Sequence, residues 1–265
     1  MRMMSRLSHG RRSASAMAAT AAIAAALMAP GAARADGLAD LKGALARLQA
    51  HTPLKATLET RTWRRIGEGK EAEELSGQAA IALEDGSQGM RLQYSRELLS
   101  RMDGEQQAVA KNPNARTPTL YAMRELGPDD LRPMVSAADT LARQMERGTF
   151  KSEKAATHNG KAARQLTFNL PVTMLSDRDR KYIKEFNGTL DVWIGADGTP
   201  MASSVNVHAT GRAFVVVSFE YKQEEQSVYA LAGDRLVVSR KESKTSNAGA
   251  GERTEDRVTK TLQAG

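Results

Sequence analysis

The sequence of 265 residues contains no cysteine. This absence excludes a disulfide, a thiolate nucleophile, a cysteine metal site and a lipid-modified N-terminal cysteine. Charged residues make up 26% and hydrophobic residues 41% of the chain. This composition is typical of a soluble globular protein rather than of a disordered or membrane-spanning one.

Motifs of catalysis and nucleotide binding are also missing. The sequence has no glycine-rich phosphate loop and no G-x-S-x-G element. Asp177 and Asp179 form a carboxylate pair, but a helix cap at Ser176 explains both. The spacing of the histidines fits no metal site or Ser-His-Asp triad. We therefore expect no enzyme activity, no metal and no cofactor. The four histidines are His9, His51, His158 and His208.

The first 35 residues have the order of a secretory signal peptide. Residues Met1–Arg12 contain arginines and no acid, Ala16–Pro30 is small and apolar, and Ala33-Arg34-Ala35 is a cleavage motif. The apolar run is shorter than the roughly 20 residues of a membrane-spanning helix. We predict cleavage after Ala35, a periplasmic location, and no transmembrane anchor in the mature chain.

Most of the basic charge belongs to this segment. The whole chain has 38 basic and 31 acidic residues, for a net charge of +7, and five of the arginines precede Asp36. The mature chain therefore carries 33 basic and 31 acidic residues, about +2. A phosphate backbone requires a strong positive field. Nucleic-acid binding is therefore not expected.

The mature chain begins with a predicted helix and a meander of strands. Leucines at three- and four-residue steps predict a helix over Asp36–His51, which Thr52-Pro53 ends. Alternating apolar and polar residues then predict strands over Leu54–Ile66, Gly77–Glu84 and Met90–Tyr94.

The middle of the chain has helical periodicity. Helices are predicted over Ser95–Lys111, from Thr117-Pro118, and from about Asp129 to Gly148. Pro133 is expected in the first turn of the last helix, because elsewhere it would break the hydrogen-bond ladder. These apolar stripes require an apolar surface to pack on.

Strands return from Thr149 onward. The pattern predicts a hairpin at Asn159-Gly160, a helix over Ser176–Phe186 closed by Asn187-Gly188, and a three-stranded meander over Gly188–Lys222. A further hairpin turns at Gly233-Asp234. Ser243–Gly251 is expected to be a flexible loop. The charged segment Arg253–Leu262 is expected to be an edge strand.

These elements predict an α+β fold in one domain, residues 36–265. We expect a strongly curved antiparallel sheet, with an N-terminal helix and a helical insertion, about residues 95–148, that covers its concave face. A monomer is expected.

The layout resembles the periplasmic lipoprotein-carrier superfamily, which contains a lipoprotein chaperone, its outer-membrane receptor and an envelope-stress sensor. The resemblance comprises the signal peptide, the helix Leu38–Leu48 leading into Leu54–Ile66, the strand Gly89–Ser95 and the late hairpins. It implies an unclosed half-barrel with a helical lid and a cavity for acyl chains. Since cysteine is absent, an anchored receptor is excluded.

A periplasmic carrier or chaperone for a lipid, acyl chain or acylated protein is therefore the leading hypothesis. The methionines suit a cavity for varied chains, although they also suit ordinary core packing. An alternative is an envelope sensor or assembly adaptor that binds a protein partner and no lipid. Strand and helix faces predict the following cavity residues: Leu58, Met90, Leu166, Val192, Val205, Val217 and Phe219 in the sheet, and Leu131, Met134 and Leu141 in the lid.

Overall fold

The computed structural model of the protein describes residues 36–49, 52–213 and 217–265. The predicted signal peptide, His51 and the segment 214–216 of the predicted meander lie outside these residues. All structural statements below concern the described part of the chain.

Ten antiparallel strands form a single open sheet in the order β3-β2-β1-β10-β9-β8-β7-β6-β5-β4. The first and last strands of the chain pair with each other in the interior of this sheet. The strands are β1 (Leu54–Ile66), β2 (Glu73–Gly86), β3 (Gly89–Gln93), β4 (Thr149–His158), β5 (Lys161–Leu170), β6 (Ile183–Ile194), β7 (Pro200–Ala213), β8 (Val217–Ala232), β9 (Arg235–Gly249) and β10 (Glu252–Ala264).

Six α-helices accompany the sheet. Asp36 caps the first helix by accepting hydrogen bonds from the amides of Leu38 and Ala39, and Ser95 caps the second by accepting one from Leu98. Short 3₁₀ helices cover Gly69–Glu71, Arg124–Leu126 and Val172–Met174. The α-helices are α1 (Gly37–Arg47), α2 (Arg96–Lys111), α3 (Pro118–Met123), α4 (Pro128–Val135), α5 (Ala137–Arg147) and α6 (Asp177–Arg180).

The topology places the helical insertion across the sheet. Strands β3 and β4 are the two edges, and they are consecutive strands in the sequence. The segment between them, residues 96–147, therefore starts at one edge and returns at the other. Along this path α3 contacts β1 and β2, α4 contacts β9, and α5 contacts β9 and β4.

The alternation of apolar and polar residues along the strands explains which side of the sheet the helices cover. In β1, Leu54, Ala56 and Leu58 are buried, whereas Lys55 and Thr57 are exposed. Helix α1 adds Leu41 and Leu45 to the same core from its contacts with β5 and β7. The predicted α+β class with an open antiparallel sheet is confirmed, and β1 has the predicted bounds.

The predicted helix from Asp129 to Gly148 is two helices. Pro133 lies inside α4 rather than in its first turn, and α4 ends two residues later at Val135. Ser136, with φ −122° and ψ 56°, leaves the helical region and α5 follows. The missing amide of proline removes a ladder bond at this point, which is consistent with the break.

The predicted helix over Ser176–Phe186 is also wrong in its length. Ser176 does cap a helix, but α6 ends at Arg180 and β6 begins at Ile183. Gly188, predicted to close the helix, lies inside β6. A Cβ there would come within 2.8 Å of the Phe186 ring and 2.9 Å of Leu170. The glycine is therefore needed for packing across the strands.

The last two strands correct two further predictions. β9 continues through the predicted loop to Gly249, and the chain turns at Ala250-Gly251, both with positive φ. β10 pairs with β1 and β9, so it is an interior strand and not an edge. The charged side chains were misleading because one face of an antiparallel sheet can remain in water even in an interior strand.

Candidate functional site

The structure brings most of the predicted cavity residues together in one buried core. Met90 and Val205 are partly buried and pack against it. Val217 and Phe219 are partly buried near the start of β8 and are not part of that core, and Phe219 lies against Gly211 and Gly249. The six core members are Leu58, Leu131, Met134, Leu141, Leu166 and Val192.

A cleft with both apolar and polar lining opens at the border of this core, between α1, α5 and the strands β4 and β5. It has a volume of about 520 Å³. Polar side chains of Lys42, Gln49 and Glu146 also line it. Its apolar lining residues are Leu38, Leu45, Ala46, Ala142, Met145, Phe150 and Phe168.

Two aromatic side chains form one wall of this cleft. The rings of Phe150 and Phe168 meet edge to face with centroids 5.5 Å apart. Phe168 is buried, whereas Phe150 on the edge strand β4 is 39% exposed. Sequence reasoning did not identify Phe150, because a lone aromatic near a strand start does not indicate an opening in the core.

Ion pairs fix α1 as the opposite wall. Arg164 of β5 binds Asp40 at 2.7 Å and Glu153 at 3.5 Å. The Glu153 carboxylate also accepts a hydrogen bond from the amide of Gly37, at the start of α1, at 3.1 Å. These contacts hold the N-terminal half of α1 against β4 and β5.

The break between α4 and α5 is held by a buried arginine. Arg235 donates through Nε to the carbonyl of Val135 at 2.6 Å and through Nη1 to the carbonyl of Thr52 at 3.2 Å. Its Nη2 forms an ion pair with Asp85 of β2. Only 3% of the Arg235 side chain is exposed, so all these partners are required to stabilise the charge.

A second cleft, of about 320 Å³, is charged and lies where α4 and the preceding 3₁₀ helix meet β8, β9 and β10. Arg64 binds Asp256 at 2.5 Å, and Lys241 binds Glu225 at 2.9 Å. Lys260 lies 3.3 Å from the Glu125 carboxylate and 3.4 Å from that of Asp130.

Two side chains at this cleft have raised pKa values. The hydrogen bond from Arg64 to Asp256 raises the pKa of the Arg64 guanidinium above its ordinary value. Burial raises the pKa of the Tyr121 hydroxyl, which donates to Asp256 at 3.4 Å. Sequence reasoning missed this cluster. A signal was available in Thr60, Thr62 and Arg64, which continue the inward parity of Leu54–Leu58.

The described histidines lie away from both clefts. His158 is in the β4–β5 hairpin, with its ring 5.8 Å from that of Trp193. His208 is exposed and pairs with Glu220 at 2.8 Å. In residues 36–49, 52–213 and 217–265, no group of three or more His, Asp or Glu residues could hold a metal ion. No helix within those ranges is long and apolar enough to cross a membrane.

Comparisons of the chain with family models, with curated proteins and with solved structures found no match. The resemblance to the lipoprotein-carrier superfamily therefore stays a prediction.

Proposed function

We propose that the protein is a non-catalytic carrier or chaperone that binds a lipid or acyl chain between its sheet and its helices. The observation that carries this proposal is the cleft between α1 and α5, whose floor is the core itself. Leu45, Met145 and Phe168 are members of both the core and the cleft lining. An apolar chain entering the cleft would therefore meet core side chains directly.

The size of the cleft and its apolar residues support this role. Its volume of about 520 Å³ lies within the roughly 300–1,000 Å³ typical of small-molecule sites. Burial of apolar ligand surface, at about 25 cal/mol per Å², can supply the affinity of such a site. Met145 adapts to irregular apolar shapes. Such a site requires no catalytic group.

The topology supports a lid. In this proposal the sheet is an unclosed half-barrel whose concave face is covered by residues 96–147, and the chain joins this segment to the sheet covalently only at the two edge strands. Ser136 leaves a break between α4 and α5 at which the two helices can reorient when the lid is displaced. Displacement of α5 would extend the cleft toward Leu141 and Leu166, two of the predicted cavity residues. Together with the predicted signal peptide, this favours a carrier acting in the periplasm.

A substitution that fills the cleft tests the proposal. Ala142 lines the cleft from α5, and Arg143 beside it is exposed. With a fluorescent acyl-chain probe, Ala142→Trp is expected to weaken binding at least tenfold, whereas Arg143→Trp is expected to leave it unchanged. Circular dichroism would check that both variants stay folded.

Mass spectrometry of lipid extracts from the purified protein provides a second test. Absence of any bound or bindable lipid would contradict the proposal. A stoichiometric protein partner recovered from envelope extract, with no lipid, would instead favour the sensor or adaptor hypothesis.

A further inference from the structure

The cations on the helix-covered side of the sheet differ in where their carboxylate partners lie. Three of them are neutralised by the sheet itself, so movement of the helices would leave these ion pairs intact. These pairs are Arg64 with Asp256 of β10, Lys241 with Glu225 of β8, and Arg235 with Asp85 of β2.

Lys260 differs from these three cations. Its two ion-pair partners are Glu125 of the 3₁₀ helix before α4 and Asp130 of α4. Both carboxylates belong to the proposed lid, and they are 37% and 45% exposed. The Lys260 side chain itself is only 6% exposed. The sheet therefore holds a buried ammonium group whose counter-charges are on the segment that has to move.

A second buried polar group lies beside Lys260. Thr60 of β1 is its direct cross-strand neighbour, so both side chains are on the same face of the sheet. Thr60 is 1% exposed, and its hydroxyl makes no hydrogen bond with any described residue. A buried hydroxyl without a partner is unfavourable, and Thr60 could donate to an anion placed at Lys260.

Displacement of the lid by an apolar chain would leave this ammonium covered by the ligand. A buried charge without a counter-charge is strongly unfavourable. A neutral ligand would therefore bind with an unpaired lysine beneath it, whereas a ligand carrying a carboxylate or phosphate would replace Glu125 and Asp130. The neighbouring cations do not impose this requirement, because their partners remain in the sheet.

We propose that the ligand is an anionic amphiphile. Its carboxylate or phosphate binds Lys260 and Thr60, and its chain lies between the sheet and the helices. This inference rests on the proposed carrier function and specifies its substrate class. Glu125 and Asp130 occupy the anion position at Lys260, and they compete with the ligand for it.

Chain-matched probes test the inference. Affinities of the mature protein for hexadecanoate, hexadecyl phosphate and hexadecanol would be measured by calorimetry, below the concentrations at which these probes aggregate. At least one anionic probe is expected to bind about tenfold more tightly than the alcohol, because one charge-assisted hydrogen bond contributes about this much to affinity. The anionic probe with the higher affinity shows whether the site prefers a carboxylate or a phosphate.

Variants assign the preference to the proposed residues. Lys260→Met keeps the length of the side chain and is expected to abolish the preference for the anion while leaving hexadecanol binding. Lys222→Met, at an exposed lysine that pairs with Glu220 outside this cleft, is the control and is expected to keep the preference. Thr60→Val, a nearly isosteric change, is expected to reduce the preference several-fold even if Lys260→Met fails to fold.

A gain in affinity for the anion would show that the lid carboxylates compete with the ligand for Lys260 and do not merely stabilise the fold. Replacing both lid carboxylates, Glu125→Gln with Asp130→Asn, is expected to raise the affinity for the anion several-fold. Equal binding of the alcohol and both anions would overturn the inference and leave the carrier function standing. Failure of all three probes to bind would instead overturn the carrier function, and the inference with it.

Discussion

Arg235 at the start of β9 donates from Nε to the backbone carbonyl of Val135, the last residue of α4, at 2.6 Å. The same guanidinium pairs with Asp85 at the end of β2. A single buried side chain thus connects two distant strands of the sheet to the break between α4 and α5. This contact sets where the helical segment lies on the sheet.

Removal of this arginine is expected to destabilise the protein severely. Arg235→Met leaves Asp85 without its cation and the Val135 carbonyl without its donor. Breaking a buried ion pair from one side typically costs about 3–5 kcal/mol. Urea denaturation should therefore show a loss of this size in the free energy of unfolding.

Two companion variants make the Arg235 result specific. Arg240→Met removes an exposed arginine of the same strand, paired with Glu242 at 2.5 Å, and is expected to cost less than about 1 kcal/mol. Adding Asp85→Asn to Arg235→Met should recover part of the loss, because no buried charge then remains unpaired. If the two single arginine variants were equally stable, the anchoring role of Arg235 would be refuted.

Glu105 of α2 is expected to hold α3 in place. Its carboxylate accepts hydrogen bonds from the amides of Thr119 and Leu120, at 2.9 and 2.8 Å, in the first turn of α3. Glu105→Ala should therefore cost about 1–2 kcal/mol, as loss of a capping group does. Faster hydrogen exchange at the Thr119 and Leu120 amides would localise the effect, and Gln106→Ala on exposed α2 should leave these amides unchanged.

We expect Asp197, in the turn between β6 and β7, to make a contribution to stability that is lost in acid. Hydrogen bonds from the Thr199 hydroxyl at 2.8 Å and the Thr199 amide at 3.1 Å lower the pKa of Asp197 below its ordinary 3.8. Because the folded-state pKa is depressed, the stabilisation is fully present above pH 3.8 and is lost as the pH falls through the lowered value.

An NMR titration of the Asp197 carboxyl carbon would measure this shift. Thr199→Val removes the hydroxyl, the largest cause of the shift, so the pKa of Asp197 should rise toward 3.8. Thr189→Val, in β6 but away from this turn, should leave it unchanged. An Asp197 pKa at or above 3.8 in the unmodified protein would contradict the prediction.

Local sequence signals predicted much of the fold. β1 has the predicted bounds because apolar and polar residues alternate through Leu54–Leu58. The Asn159-Gly160 turn follows from residues that tolerate positive φ, 49° and 76° in the structure. Such signals depend only on near neighbours in the chain, and they are therefore readable without the fold.

Features set by distant pairing were not predictable in this way. The interior position of β10 follows from its pairing with β1, about 200 residues earlier, and nothing local in Arg253–Leu262 indicates that partner. The same pairing places Lys260 beside Thr60 and below α4. The apolar core residues were accessible from face parity, whereas the two clefts required knowledge of how α1 and α4 pack.

Two glycines test whether the position of α3 on the sheet is set by close packing. A Cβ at Gly77 of β2 would come within 2.1 Å of the Pro118 carbonyl at the start of α3, although Gly77 does not have positive φ. Gly77→Ala is therefore expected to cost about 1–3 kcal/mol through overpacking. At Gly104, in the interior of α2, a Cβ would meet no atom within 4 Å, so Gly104→Ala should stabilise by about 0.5–1 kcal/mol.

The decisive outcome is that Gly77→Ala lowers the stability of the protein whereas Gly104→Ala raises it. Both substitutions add one methyl group, so their difference reports on the local backbone and on the packing around it. Hydrogen exchange should become faster at the α3 amides in Gly77→Ala only, because α3 must move away from β2 to accommodate the methyl group. A neutral Gly77→Ala with unchanged α3 exchange would show that the helix is not closely packed on this strand, and the lid would then be attached mainly through α4 and Arg235.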